Sequence, residues 1–198
     1  LNENFSSAIV PNLPICWSKI IRGTGLSQFA YVNTSNSNTS SYPNFTVANY
    51  VQMNAQASAP TADLILVSPP LSNVGAGTHR LKFNTFSQGS IQVGTLDTNN
   101  PDTAVFQVVQ TVTLNGSGSS VLVNFNSYSG TNTYIGIRLI PDTDIFPSIN
   151  IDNIVWEPIP TCLEPSNLLL VTTTTTSATI YWDIPTVLPS HGFDYYVA

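Results

Sequence analysis

The sequence predicts an all-β sandwich, and three observations carry that reading. Short apolar or alternating runs recur between Asp63 and Trp156, separated by turn signals roughly every ten residues. No long stretch keeps the apolar period of about 3.6 residues that marks a helix. The composition also suits strands and polar turns: 42% of residues are hydrophobic, 8% are charged, and Ser, Thr and Asn supply 65 of the 198. That hydrophobic content rejects disorder. The length fits one full domain and a fragment of a second, at about 100–200 residues per domain.

The first sixty residues give the weakest signals. Asn2–Phe5 reads as an opening strand, and Leu13–Ile21 holds the compact patch Pro14-Ile15-Cys16-Trp17. Asn33–Ser41 (NTSNSNTSS) reads as a low-complexity surface loop, and Phe45–Met53 as another strand. From there the signals strengthen. Leu64–Val67 is closed by the breaker Ser68-Pro69-Pro70. His79–Phe86 alternates, with Leu81 and Phe83 on one face and Arg80 and Lys82 on the other. Ile91–Gly94 alternates too, and Val105–Leu114 is β-branched and stops at the turn Asn115-Gly116-Ser117-Gly118. Val121–Phe125, Tyr134–Ile140 and Ile149–Trp156 complete the series.

The composition changes near Glu157, where Pro158, Pro160 and Pro165 make an extended, stiff connector. Beyond it come Leu168–Val171, the run Thr172–Thr176, and the strand-like Ser177–Asp183. The 33 residues after Pro165 are too few for an independent domain, so they read as the opening of a second β domain. The expected division is 1–157, a linker at 158–165, and 166–198.

Composition narrows the function. With five Lys and Arg and a net charge of −6, the chain lacks the basic surface that nucleic acid or an anionic membrane requires. No run approaches the roughly 18 apolar residues of a membrane span, and Leu1-Asn2-Glu3-Asn4 is not a signal peptide. Scarce Lys, abundant Thr and Asn, and two cysteines point to an extracellular chain. Cys16 and Cys162 have no neighbouring His or Cys to complete a sulfur metal site, which leaves one bridge or two buried thiols. Motifs for catalysis are missing: no G-x-S-x-G, phosphate loop, CxxC or HExxH. Glu157 and Glu164 lie in the proline-rich connector, a poor place to hold a catalytic acid rigidly.

Two binding chemistries remain. Calcium takes oxygen ligands, which this chain has in plenty. Asp142-Thr143-Asp144 and Asp97–Asp102 are acidic loops that read as ordinary Asx turns, whereas Asp152 sits inside a strand pattern and faces either solvent or a ligand. Tyr31, Tyr42, Tyr50 and Tyr128 lie in or near polar loops, where flat rings stack on sugars and amides bind hydroxyls; semi-buried packing is the ordinary alternative. Trp17, Trp156 and Trp182 read as core residues. Asn4, Asn33, Asn38, Asn44 and Asn115 begin N-x-S/T sequons, as expected by chance in such a chain.

Several of these segments converge on one family. Asn4-Phe5 with Leu13-Pro14-Ile15-Cys16-Trp17-Ser18 resembles the opening of the MAM-like jelly-roll domains, or cleaved-adhesin domains, of secreted Bacteroidetes proteins. Leu66-Val67-Ser68-Pro69-Pro70-Leu71, Arg80-Leu81-Lys82-Phe83, Val93-Gly94-Thr95-Leu96, Phe106-Gln107-Val108-Val109, Tyr134–Arg138 and Ile151-Asp152-Asn153-Ile154 follow in the same order. Cys162–Leu168 resembles the lead into a fibronectin type III domain, and Ser177–Trp182 its second strand. The resemblance implies a jelly-roll β-sandwich of two antiparallel sheets followed by a partial fibronectin III-like segment. It implies a non-catalytic module of a larger exported, cell-surface protein that binds glycans or other extracellular surfaces beside neighbouring domains of its own chain. The alternative is a spacer or an accessory module of a hydrolase secreted by the type IX route.

Three site expectations come with the family. A jelly roll brings its ends together, so Cys16 and Cys162, which flank the domain, are expected to form a disulfide. A structural calcium near the termini is expected to use Glu3 and Asp152 as carboxylate ligands. Asp102-Thr103-Ala104 resembles the Bacteroidetes O-glycosylation sequon, which makes Thr103 the candidate acceptor.

Overall fold

Alternating and β-branched runs become strands because their branched side chains fit a pleated, half-buried surface. The computed structural model describes residues 1–23, 29–34, 49–54, 63–86, 88–116, 118–140, 148–161, 165–185 and 192. They fall into two units, Leu1–Pro158 and Ile159–Ala198.

The first unit contains β1 (Asn2–Glu3), β2 (Ser18–Arg22), β3 (Phe29–Thr34), β4 (Asn49–Asn54), β5 (Asp63–Val67), β6 (His79–Phe86), β7 (Gln88–Leu96), β8 (Phe106–Asn115), β9 (Ser119–Asn124), β10 (Tyr134–Leu139) and β11 (Ser148–Pro158). One sheet runs β3-β4-β11-β6-β9, with β1 also paired to β11; the other runs β2-β5-β10-β7-β8. Every pairing is antiparallel. This is the expected jelly-roll sandwich. β3 was not anticipated from the sequence, and the loop expected at Asn33–Ser41 begins inside it.

Inward side chains of both sheets build the main core. Val51 and Met53, Leu81 and Phe83, Val121 and Val123, and Ile149, Ile151, Ile154 and Trp156 come from the first sheet. Leu64 and Leu66, Ile91 and Val93, and Ile135, Ile137 and Leu139 come from the second. Trp156 meets the core as expected. Its indole N–H donates to Asn73 Oδ1 at 3.0 Å, and its ring lies edge-on to Phe125 at 4.9 Å. Trp17 packs half-buried against the same core.

The outer face of the second sheet carries an apolar cluster of its own, formed by Ile20, Ile65, Val67, Leu96 and Ala104 with Phe106 and Tyr134 against it. Its cover is the Asp97–Val105 loop, pinned by Val105 N–H to Asp97 Oδ1 at 3.0 Å and by Arg22 Nη2 to the Ala104 carbonyl at 2.7 Å. Two glycines make room for it. Gly94 and Gly136 face each other across β7 and β10, and the Phe106 ring lies over both. A Cβ on Gly136 would come within 2.7 Å of Leu96 and 2.9 Å of Ile65 and Phe106. The Arg138 guanidinium lies over that ring, 5.5 Å from its centroid.

The second unit holds a hairpin of β12 (Ser166–Thr173) and β13 (Ala178–Asp183), closed by Thr174 N–H to the Ser177 carbonyl at 2.8 Å. Leu169, Leu170, Val171, Ile180 and Tyr181 are exposed. Trp182, expected in a core, is 36% exposed, because two strands supply no facing sheet among the described residues.

The glycine pair gives a direct check on this packing. Gly136→Val should cost about 1–3 kcal/mol through overpacking, read as a lower urea midpoint with an unchanged slope. An unchanged midpoint would show that Phe106 does not occupy the hollow.

Candidate functional site

The outer face of the second sheet is covered around Ile65, Val67 and Leu96, and the exterior of the first sheet is the other broad face of the unit. Alternation on β3 sends Ala30 and Val32 inward and Tyr31 and Asn33 outward. On β4 it buries Val51 and Met53 and turns out Tyr50, Gln52 and Asn54; on β6 and β11 it turns out Asn84, Phe86 and Asn150. Register then aligns them. Tyr31 lies opposite Gln52, Gln52 opposite Asn150, and Asn150 opposite Phe86. At one strand spacing per step, this row runs about 14 Å, with an aromatic ring at each end and amides between.

Hydrogen bonds fix the Tyr31–Gln52 end of the row. Tyr31 Oη donates to Gln52 Oε1 at 3.2 Å, Asn33 Nδ2 donates to the same oxygen at 2.8 Å, and Gln52 Nε2 reaches Ser148 Oγ at 3.5 Å. Tyr50 lies diagonally beside Tyr31. Burial first, and the neighbouring Tyr31 second, push its phenol above the ordinary value of 10.0. Tyr50 is therefore a neutral hydrogen-bonding group throughout the physiological range.

Tyr31 also borders a groove at the sandwich edge. This open depression of about 570 Å³ is walled by Pro11, Leu13, Trp17 and Tyr31, with Asn12, Ser18 and Lys19 as its polar lining. Its walls are fixed from behind. Val32 N–H donates to the Pro11 carbonyl at 3.2 Å, Asn12 N–H to the Ile9 carbonyl at 2.8 Å, and Trp17 meets Phe5 edge-on at 5.7 Å. Lys19 Nζ donates to the Ala30 carbonyl at 2.7 Å. Ser18 Oγ is buried with no hydrogen-bond partner among the described residues.

The expected site residues meet different fates. Tyr31 and Tyr50 come together on the polar face. Tyr42 lies outside the described residues. Tyr128 is a correction: it is 6% exposed, packed in the core, with its hydroxyl accepting Asn132 N–H at 3.1 Å, so its ring offers no face to a sugar. Cys16 is exposed with a free thiol, and its expected partner Cys162 lies outside the described residues. Thr103 sits exposed in a turn where Asp102 N–H is held by Asn100 Oδ1 at 3.0 Å.

Glu3 and Asp152 are brought near one another. Glu3 pairs with Ile154 on β11, two residues beyond Asp152. Glu3 Oε1 accepts Phe5 N–H at 2.7 Å. Asp152 is wholly buried, and its Oδ1 accepts Asn153 N–H at 2.7 Å. Two carboxylates beside backbone carbonyls are hard oxygen donors suited to calcium. No cluster of three or more His, Cys, Asp or Glu forms among the described residues, so carbonyl oxygens would have to complete such a site. Phe86, Asn150, Lys19 and Ser18 were not anticipated. The Trp17-Ser18-Lys19 triplet was the available signal for the last two: an aromatic, a hydroxyl and a cation in succession.

No protein-family profile and no curated protein matches the chain. Solved structures do. The K2 cleaved adhesin domain of Lys-gingipain aligns over 78% of this chain and 95% of its own, at 18% identity and a TM-score of 0.54. A carbohydrate-binding module of the β-sandwich superfamily aligns over 78% of this chain and 60% of its own, at 11% identity and a TM-score of 0.51. The MgGH51 α-L-arabinofuranosidase matches 79% of this chain at 13% identity and a TM-score of 0.54, and the chain spans only 25% of that enzyme. At such identities these likenesses show a shared β-sandwich fold.

Proposed function

We propose that Leu1–Pro158 is a non-catalytic carbohydrate-binding module of an exported, surface-associated protein. The row Tyr31–Gln52–Asn150–Phe86 carries the proposal. Aromatic rings offer apolar faces to sugar rings, and amides offer paired donors and acceptors to hydroxyls. The row contains no charged group, as suits a neutral polyol chain. Neighbours that are themselves an adhesin domain and a carbohydrate-binding module support the reading. The arabinofuranosidase, of which the shared fold is about a quarter, supports an accessory role beside a secreted hydrolase as the second reading. The apolar exterior of the β12–β13 hairpin supports assigning Ile159–Ala198 to a larger, fibronectin-like β domain that covers it.

A glycan array probed with the 198-residue chain tests this. At least one oligosaccharide class should be retained. Tyr31→Ala and Phe86→Ala should each cost about 1–2 kcal/mol of binding, roughly five- to thirtyfold in Kd. No retained glycan, or binding indifferent to both substitutions, would overturn the assignment.

The same domain is proposed to hold a structural calcium through Glu3 and Asp152. Chelation should then lower the thermal midpoint, and Glu3→Gln should abolish the calcium response. A midpoint unmoved by chelator would contradict the ion.

A further inference from the structure

The five cationic side chains of this acidic protein are not equivalent. Arg138 Nε lies 2.7 Å and Arg22 Nε 3.7 Å from Asp63. Arg80 Nη2 lies 2.7 Å and Lys82 Nζ 3.6 Å from Glu157. Among the described residues, Lys19 is the one cationic side chain with no carboxylate partner. It stands exposed on the lining of the groove between Trp17 and Tyr31, where none of the lining residues is acidic. An ammonium carries three donors, and the Ala30 carbonyl takes one. Two remain for a ligand.

We propose that this groove takes a carboxylate-bearing sugar residue, its carboxylate paired with Lys19 and its ring between Trp17 and Tyr31. The proposal rests on the carbohydrate-binding reading and adds the chemical class of the residue bound at the edge. A groove of about 570 Å³ falls within the ordinary range for small-molecule sites. The net charge of −6 works against acidic ligands at long range, so a preference for them must come from a local, unneutralised cation. Lys19 is that cation. Tyr31 belongs both to the groove and to the outer row, so a chain laid on the row can place an end residue in the groove. The shared chemistry is the sugar carboxylate, which uronic and sialic acids both present.

Calorimetry on the 198-residue chain separates the outcomes. The probes are tetragalacturonate against its methyl ester, and sialyllactose against lactose. At least one acidic probe should bind about fivefold tighter than its neutral counterpart at low salt, with the margin shrinking as salt rises. The pair that shows the margin identifies the source of the carboxylate. Lys19→Met should remove the margin, and Lys19→Arg should keep part of it. Lys19 is exposed, so the thermal midpoint of Lys19→Met should stay near wild type. Equal binding of acid and neutral forms, a margin that survives Lys19→Met, or equal Lys19-dependent binding of an acidic peptide would overturn the inference. Binding of neutral probes through Tyr31 and Phe86 without an acid margin would sink this inference alone. Failure of every sugar to bind would sink the carbohydrate-binding reading as well.

Discussion

One extra residue in β11 organises the first sheet. Between Asp152 and Val155 the pairing with β6 shifts by one, a bulge, and Asn153 takes the left-handed conformation at φ 52°. The apolar positions before it are odd-numbered, Ile149 and Ile151; those after it are even-numbered, Ile154 and Trp156. Without the bulge, one pair would face water. With it, all four reach the core. The bulge also lets one edge of β11 carry β4 along its first half and β1 along its second. The outer row, the buried Asp152 and the seating of the N-terminus all follow from that kink.

The two sheets use their outer faces differently. On the second, Gly94 and Gly136 hollow the surface, and Phe106 with the Asp97–Val105 loop fills it, so that end of the face serves packing. On the first, the outward positions along Tyr31, Gln52, Asn150 and Phe86 are amides and aromatic rings of intermediate exposure, with the Lys82–Glu157 pair farther along the sheet. The contrast comes from side-chain size at a few registered positions. A recognition surface needs its groups held before the ligand arrives. Gln52, fixed by Tyr31, Asn33 and Ser148, is held in that way.

Much of this was legible in the sequence. From Leu64 to Trp156, alternation and breakers located the strands, because each local pattern agreed with the final fold. The bulge was not anticipated, because Ile149–Ile154 reads as regular alternation although Ile151 to Ile154 is a step of three. β3 was hidden because Tyr31, Val32 and Asn33 run directly into a low-complexity tract. Tyr128 resembled a surface tyrosine because its neighbours are polar, yet its ring packs inward. The unpaired state of Lys19 was invisible, since the partners of the other cations lie far along the chain: Arg80 and Glu157 are 77 residues apart, Arg138 and Asp63 75.

The central claim is that the exterior of the first sheet is the recognition surface. Backbone amide NMR during titration with an oligosaccharide retained on the array tests it most directly. The account predicts shifts concentrated at Tyr31, Asn33, Tyr50, Gln52, Phe86 and Asn150, spreading to Trp17, Ser18 and Lys19 when the sugar carries a carboxylate. Shifts concentrated instead on β7, β8 and the Asp97–Val105 loop would contradict it.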